Sequence, residues 1–230
     1  MMLHHGIEEL QERMARMAAR VTQSVERAVR AVIDGDPGLV KKIHKADARI
    51  DVEEVAVEKQ AINLLALFQP AATDLRLLTT IIKANADFER IGDCAVNIAR
   101  NGRPLIKARD NGEDVDLPPS LRELAAGAEK LLGDAVRAFN LQDEMAAQDV
   151  IDGDERLDAL YHDTVQSMLA RMPTDTEGLD QAGKDRRMSQ DFSIILIAKS
   201  LERIGDHCTN IAEDVIYIAS GEIVRHRRGG

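Results

Sequence analysis

The chain has 230 residues, of which 44% are hydrophobic and 3% aromatic, and its 30 basic and 40 acidic side chains give a formal net charge of −10. This length allows one large domain or two domains of about 110 residues. The acidic balance argues against a basic groove for nucleic acid and against a general attraction to anionic lipid.

Apolar residues recur at helical spacing along most of the chain, which predicts an all-α protein. In chain order, the pattern predicts helices over about residues 7–33, 39–68, 73–101, 121–150 and 186–220, with a further helix opening at 151. The polar segment 108–120 contains Pro118 and Pro119 and is the best candidate for a linker, and residues 172–185 are predicted to form a loop.

The second half of the chain repeats the first. Residues 89–99 (ERIGDCAVNIA) and 202–212 (ERIGDHCTNIA) share 8 of 11 positions and lie 113 residues apart (202 − 89). Upstream, Asp47 and Asp51 correspond to Asp154 and Asp158 at an offset of 107 (154 − 47). We therefore predict two tandem three-helix bundles with six long helices, divided into residues 1–110, a linker at 111–119, and residues 120–230.

Each copy of the motif places a Glu, an Asp and an Asn four residues apart on one helix face. The two rows are Glu89, Asp93 and Asn97, and Glu202, Asp206 and Asn210. We expect the aspartate pairs of the preceding helices to face these rows across a groove. Like charges at this spacing destabilise a helix by about 0.2–0.5 kcal/mol per pair. A bound cation would reverse that repulsion, and carboxylate and amide oxygens suit magnesium, manganese, calcium or iron, with zinc also accepted.

The same rows have a simpler interpretation as solvated helix faces. Arg90 and Arg203 could neutralise Asp93 and Asp206 at i, i+3 spacing. The spacing alone does not decide between this interpretation and a cation site.

Several other residues of the motif have structural interpretations. Gly92 and Gly205 each cost a helix about 1 kcal/mol relative to alanine, and their recurrence favours close approach of a neighbouring helix or ligand over a merely tolerated glycine. His207 is interpreted as a surface histidine, whereas Cys94 and Cys208 are predicted to be small core residues. Two cysteines are too few for a disulfide framework, and the first residues lack the apolar region of a signal peptide.

The segments 78–99 and 197–218, together with the two Asp-x-x-x-Asp pairs, resemble the PhoU family of phosphate-specific transport system accessory proteins. The resemblance covers essentially the whole chain and implies two related three-helix bundles side by side. It implies a cytoplasmic negative regulator of phosphate uptake and of the phosphate-starvation response. The implied partners are the ATPase subunit of a phosphate ABC transporter, a membrane sensor histidine kinase and a second copy in a homodimer. Contact with the membrane would be only indirect, through these partners, and no nucleic acid is expected.

The resemblance also implies multinuclear metal sites, which hold iron or zinc in some members and magnesium or manganese in others. Carried onto this chain, the first site would comprise Asp47, Asp51, Glu89, Asp93 and Asn97, and the second Asp154, Asp158, Glu202, Asp206 and Asn210. Arg100 follows the first motif, whereas Glu213 and Asp214 follow the second. We therefore expect any asymmetry to favour fuller metal loading of the second site.

The leading functional hypothesis is a regulatory adaptor that is not an enzyme, because the sequence shows no nucleophile–base pair. One alternative is a carboxylate-bridged metalloenzyme that acts on phosphate compounds with the same residues. The other is a helical scaffold without metal.

Overall fold

The structure, a computed structural model, describes residues 2–171 and 179–221, which form seven α-helices and no strand. The helices are α1 (Met2–Ile33), α2 (Pro37–Phe68), α3 (Ala72–Asn101), α4 (Arg103–Asp110), α5 (Pro119–Leu141), α6 (Glu144–Arg171) and α7 (Gln181–Ser220). Six of these are the predicted long helices, and α4 is a short additional one. The predicted all-α fold with an internal repeat is confirmed.

The helices form two three-helix bundles. Helices α1, α2 and α3 pack against one another, as do α5, α6 and α7. The bundles lie side by side through α3 against α7, which is the most extensive helix pair, and through α1 against α5. Helices α2 and α6 lie on the outside. A single core of buried apolar residues runs through both bundles, so the bundles share one interior.

Several helix ends follow from their sequences. The side chain of Asp36 accepts a hydrogen bond from the N–H of Gly38 at 2.8 Å, and Pro37 occupies the first turn of α2. The side chain of Asp180 accepts from the N–H of Gly183 at 2.8 Å and caps α7. The predicted loop over 172–185 is therefore wrong for residues 181–185, which are helical. Residues 172–178 lie outside the described residues.

Two other boundaries differ from the prediction. The single helix predicted over 121–150 is broken because Gln142 adopts a left-handed conformation with φ 52° and ψ 40°. Asp143 then accepts a hydrogen bond from the N–H of Ala146 at 3.1 Å and starts α6. Neither glycine nor proline marks this break. Helix α4 takes up residues 108–110 of the linker candidate, which leaves 111–118 as the non-helical connection.

Candidate functional site

The repeated motif lies in the C-terminal half of α3 and of α7, where each helix passes the second helix of its own bundle. A methyl group added at Gly205 would lie 2.5 Å from Cδ2 of Leu157 and 2.6 Å from Oδ1 of Asp154. A methyl group at Gly92 would lie 3.3 Å from Cδ1 of Ile50. The glycines therefore allow α2 to pack closely on α3, and α6 to pack closely on α7. The predicted close approach of a neighbouring helix is confirmed.

The structure brings together four of the five residues predicted for the first site. We call Asp47, Asp51, Glu89 and Asp93 the first carboxylate cluster. Burial raises the pKa of Asp47, and the charges of Asp51 and Asp93 raise it further. Burial also raises the pKa of Glu89, with Asp93 as the next largest cause. These α2 and α3 carboxylates therefore repel one another across the helix pair.

The second bundle repeats this arrangement. We call Asp154, Asp158, Glu202 and Asp206 the second carboxylate cluster. Burial raises the pKa of Asp206, followed by the charges of Glu202, Asp154 and Asp158. Asp154 is only 1% exposed, whereas its counterpart Asp47 is half-buried. The first aspartate of the second cluster is thus more deeply buried than the first aspartate of the first cluster.

Basic side chains partly neutralise both clusters. The Nη1 atom of Arg90 lies 3.3 Å from Asp93, and its Nε atom lies 3.5 Å from Glu89. The Nζ atom of Lys199 lies 2.6 Å from Glu202. The pairing of Arg90 with Asp93 that the solvated-face interpretation predicts is therefore present.

The two predicted amide ligands have other partners in the structure. Asn97 accepts a hydrogen bond from Nη2 of Arg100 at 2.5 Å. Asn210 donates to Oδ1 of Asp87 on α3 at 3.1 Å, and Nδ1 of His207 lies 2.8 Å from the same oxygen. Asn210 therefore belongs to the contact between the bundles.

The interpretation of His207 as a surface residue is wrong, because its Nδ1 atom pairs with Asp87 of α3 and its side chain is only 16% exposed. Sequence reasoning also missed Asp87, its partner. The repeat comparison gives no signal for this residue, since its counterpart at the offset of 113 (87 + 113 = 200) is Ser200.

Asp214 does not face the second carboxylate cluster. Its carboxylate is buried and lies 3.3 Å from Nζ of Lys83 on α3, and that ammonium group also lies 5.2 Å from the ring centroid of Tyr217. Asp214 therefore holds the two bundles together. The expected fuller loading of the second site stays a prediction that no longer draws on this charge.

The donor chemistry of the clusters fits a hard cation, but the placed side chains do not form a cage. Within residues 2–171 and 179–221, no group of three or more His, Cys, Asp or Glu side chains is arranged to hold a metal ion. The carboxylates are close enough to raise one another's pKa, but their oxygens do not converge on one point. Any bound cation would have to draw these side chains together.

A further cluster of charged side chains, where the end of α6 lies beside the first turns of α7, was not predicted. Asp191 is 1% exposed and lies 2.7 Å from Nη2 of Arg171 and 3.6 Å from Nε of Arg187. Arg171 also lies 3.1 Å from Asp116 in the connection between the bundles. Arg187 and Asp191 lie four residues apart on α7, but Arg171 and Asp116 come from other segments, so no local pattern could have revealed the whole cluster. It fixes the connection to α6 and α7.

The two cysteines are buried, as predicted for small core residues. Burial raises the pKa of Cys94 to about 11 and raises that of Cys208 well above the ordinary value. Both side chains are therefore protonated thiols at neutral pH. Within the described part of the chain, no helix is both long and apolar enough to cross a membrane.

Fold and site together define a class of protein: a tandem three-helix repeat in which each repeat carries one carboxylate cluster between its second and third helices. The family model described as the PhoU domain matches residues 14–102 and 121–215. The chain belongs to the PhoU family.

Relatives named phosphate-specific transport system accessory protein PhoU, or its homolog, match nearly the whole chain. The Pseudomonas aeruginosa protein is 34% identical over 220 residues, covering 96% of this chain and 86% of its own length. The Aquifex aeolicus protein is 32% identical over 229 residues, covering 99% and 97%. The Escherichia coli protein is 29% identical over 223 residues, covering 97% and 87%.

Two solved structures of PhoU proteins have the same fold as this chain. The crystal structure of PhoU from Pseudomonas aeruginosa superposes with a TM-score of 0.84 at 32% identity, covering 95% of this chain and 99% of that one. The phosphate transport system regulatory protein PhoU from Streptococcus pneumoniae gives a TM-score of 0.83 at 25% identity, covering 96% and 99%.

Proposed function

We propose that the protein is a cytoplasmic negative regulator of phosphate uptake and of the phosphate-starvation response. It acts as an adaptor between the ATPase subunit of a phosphate ABC transporter and a sensor histidine kinase, and it works as a homodimer. The observation that carries the proposal is whole-length similarity, at 34% and 32% identity, to proteins named as accessory to phosphate-specific transport.

The architecture supports an adaptor. The two bundles share one core and are held together by partly buried polar contacts between α3 and α7, including Lys83 with Asp214 and His207 with Asp87. A body of this kind keeps the outward faces of α2 and α6 at a fixed separation. Two partners, or two parts of one assembly, can therefore be held in a defined geometry without a chemical step.

We further propose that the two carboxylate clusters bind a divalent or multinuclear metal, either iron or zinc, or magnesium or manganese. The eight carboxylates would be the ligands, and Asn97 and Asn210 would join only after leaving their present partners. Support comes from the raised pKa values of Asp47, Glu89 and Asp206, which burial raises most and which repulsion from neighbouring carboxylates raises further. A bound cation would supply opposite charge to these carboxylates and clamp the second helix of each bundle to the third.

Deletion of the gene in its native host tests the regulatory role. With a transcriptional reporter for a phosphate-starvation gene, we expect expression in phosphate-rich medium in the deletion strain and repression when the gene is restored on a plasmid. A reporter that stays repressed in the deletion strain would contradict the proposal.

Metal content is tested by elemental analysis of protein purified without chelator. We expect metal in the wild-type chain and in the control Asp163→Asn, which alters an exposed carboxylate outside both clusters. The variant Asp51→Asn with Asp206→Asn should retain less. Less than about a tenth of an equivalent in the wild-type chain would favour a scaffold without metal, because tight structural sites retain their ions.

A further inference from the structure

Helix α3 carries a buried amide whose oxygen has no hydrogen-bond partner. Asn85 is only 1% exposed, and its Nδ2 group donates a hydrogen bond to the backbone oxygen of Glu54 on α2 at 2.9 Å. This bond fixes the orientation of the amide, because a rotation by 180° would place two oxygens against each other. The Oδ1 atom is buried and accepts no hydrogen bond within the described residues. A buried acceptor of this kind calls for a donor or a cation.

Asn85 begins a row of polar residues that continues along α3 into the first carboxylate cluster. Glu89 lies one turn further along the same face, and its side chain is 24% exposed. Burial is the largest cause of the raised pKa of Glu89, and the charge of Glu54 is among those that raise it further. Oxygens of Glu54, Asn85 and Glu89 therefore lie together where α2 passes α3. We call these three residues the α2–α3 oxygen site.

The second bundle carries its own positive charge at the equivalent place. Glu202 is the counterpart of Glu89 in the repeated motif, and Nζ of Lys199 lies 2.6 Å from its carboxylate. The same ammonium group lies 5.4 Å from the ring centroid of Tyr161 on α6. One positive charge is thus held between a carboxylate of α7 and an aromatic ring of α6.

The first bundle has no lysine at this place and has oxygen donors instead. The two halves can be compared here because Ile50 lies beside Gly92 where Leu157 lies beside Gly205. At the repeat offsets, the three exchanges are Ala86 for Lys199 (199 − 113), Glu54 for Tyr161 (161 − 107) and Asn85 for Ala198 (198 − 113). The first bundle thus gains a carboxylate and an amide oxygen where the second holds an ammonium group.

Arg90 is the basic side chain that acts on this site, and it neutralises the site only in part. Its Nε atom lies 3.5 Å from Glu89, whereas its Nη1 atom lies 3.3 Å from Asp93. One guanidinium group is therefore shared between two carboxylates. Glu54 takes part in no ion pair among the described residues.

Other basic side chains near this level of the first bundle have different partners or directions. Arg13 on α1 lies 3.8 Å from Glu53, and Lys83 on α3 lies 3.3 Å from Asp214 of α7. Lys59 lies about 140° around α2 from the carboxylate of the α2–α3 oxygen site that this helix provides. The site therefore keeps an excess of negative charge.

We propose that Glu54, Asn85 and Glu89 bind one hard divalent cation of the Ca²⁺ or Mg²⁺ class, through carboxylate oxygens and the Oδ1 atom of the amide. Calcium accepts carboxylate and amide oxygens together, and both ions complete their coordination with water. The site uses two acidic side chains, so it does not require the three converging His, Cys, Asp or Glu side chains that are absent from the described residues.

This cation would take the place that the ammonium group of Lys199 has in the second bundle, and it would link α2 to α3. Only the first bundle would bind it, which makes the two halves of the repeat unequal. The proposal does not depend on the regulatory role. It differs from the metal proposed for the eight carboxylates, with which it shares only Glu89.

The test follows the side-chain amide signal of Asn85 in the ¹H–¹⁵N spectrum of the labelled full chain, identified by its loss in Asn85→Ser. Protein freed of metal with chelator is titrated with calcium chloride and, separately, with magnesium chloride, in about 0.1 M potassium chloride to screen non-specific attraction. We expect a saturable shift with a Kd of about 0.1–1 mM for at least one ion, the range of weak calcium sites.

The variant Glu54→Gln should bind the ion at least about tenfold more weakly. This change removes the charge of Glu54 but keeps the backbone oxygen that holds the amide of Asn85 in place. Circular dichroism verifies that the variant is folded.

The variant Ala86→Lys tests the comparison between the bundles. A lysine there lies three residues before Glu89, as Lys199 lies three residues before Glu202. It should supply the positive charge itself and weaken binding of the divalent ion at least about tenfold. The matched control Ala126→Lys adds the same charge at an exposed position of α5 and should bind within about twofold of wild type.

An Asn85 signal that responds to neither ion up to about 10 mM would overturn the proposal. Equal affinities of the wild-type chain and Glu54→Gln would do the same. In Asp51→Asn with Asp206→Asn, which impairs the eight-carboxylate sites, the Asn85 response should persist. Its loss there, with Glu54→Gln unaffected, would show that the signal reports the first carboxylate cluster and would also overturn the proposal. The reporter strain tests the regulatory role separately.

Discussion

Replacement of Gly205 by alanine tests whether close packing of α6 on α7 explains the glycine of the motif. Alanine gains about 1 kcal/mol in helix propensity over glycine. Its methyl group would lie 2.5 Å from Leu157 and 2.6 Å from Asp154, which are 2% and 1% exposed. Since neither neighbour can swing into solvent, we take the upper half of the usual range for overpacking, about 2–3 kcal/mol. The expected net loss in the free energy of unfolding is about 1–2 kcal/mol.

Two other helical glycines give matched controls. A methyl group at Gly133 on α5 would meet nothing within 4 Å, so Gly133→Ala should raise the stability by up to about 1 kcal/mol. At Gly92 the single close contact is 3.3 Å from a terminal methyl of Ile50, so the gain and the cost should nearly cancel. The expected order of stability is Gly133→Ala, then wild type and Gly92→Ala, then Gly205→Ala.

The assay is thermal unfolding followed by circular dichroism at 222 nm in chelator, with urea unfolding as a second measurement. For a chain of this size about 2–4 °C corresponds to 1 kcal/mol, so Gly205→Ala should lower Tm by about 2–8 °C and Gly133→Ala should raise it by about 2–4 °C. A Gly205→Ala protein as stable as the Gly133→Ala protein would refute the packing explanation for the repeated glycine.

Three further predictions concern charge and thiol chemistry. The pKa of Asp206 is raised above 3.8 in the folded state, so ionisation of this carboxyl lowers the stability as the pH rises from 3.8 through the raised pKa. Asp206→Asn should therefore raise the free energy of unfolding by about 0.5 kcal/mol at pH 7 and change it little at pH 4. The control Asp163→Asn should leave the free energy of unfolding unchanged at both pH values. Equal effects at both pH values would contradict this. Arg171→Met leaves buried Asp191 without its 2.7 Å contact and should cost about 1.5–3 kcal/mol in urea unfolding; a loss below about 0.5 kcal/mol would contradict it. Cys94 should resist a disulfide reagent at pH 8 until denaturant is added, and rapid labelling of the native chain would contradict its burial.

Helical spacing was sufficient to predict the fold because every long helix buries one continuous stripe. In α1 the apolar residues at helical spacing are all buried: Leu10, Met14, Met17, Val21, Val25, Ala28 and Val32. The break between α5 and α6 was missed because Gln142 and Asp143 supply the left-handed residue and the cap that glycine and serine more often provide. Helix α4 was missed because residues 103–110 lie within a polar, proline-containing stretch.

The candidate site was predicted in part. The repeat led to both carboxylate clusters, because their members recur at fixed offsets on neighbouring helices. It did not reveal that Asn210 and His207 point to Asp87, because that contact joins the two halves and depends on how α3 crosses α7. Nor could spacing show that Asp214 pairs with Lys83, which lies 131 residues away. Contacts between repeats lie outside what a comparison of the repeats can detect.

The most direct test of the adaptor role is a binding measurement with both proposed partners. The purified chain is mixed with the ATPase subunit of the host's phosphate transporter and, separately, with the cytoplasmic region of the sensor histidine kinase, and each mixture is followed by isothermal titration calorimetry. We predict saturable binding to each partner and, in sedimentation velocity, a complex that contains all three proteins. Absence of binding to both partners at about 50 µM would contradict the proposal.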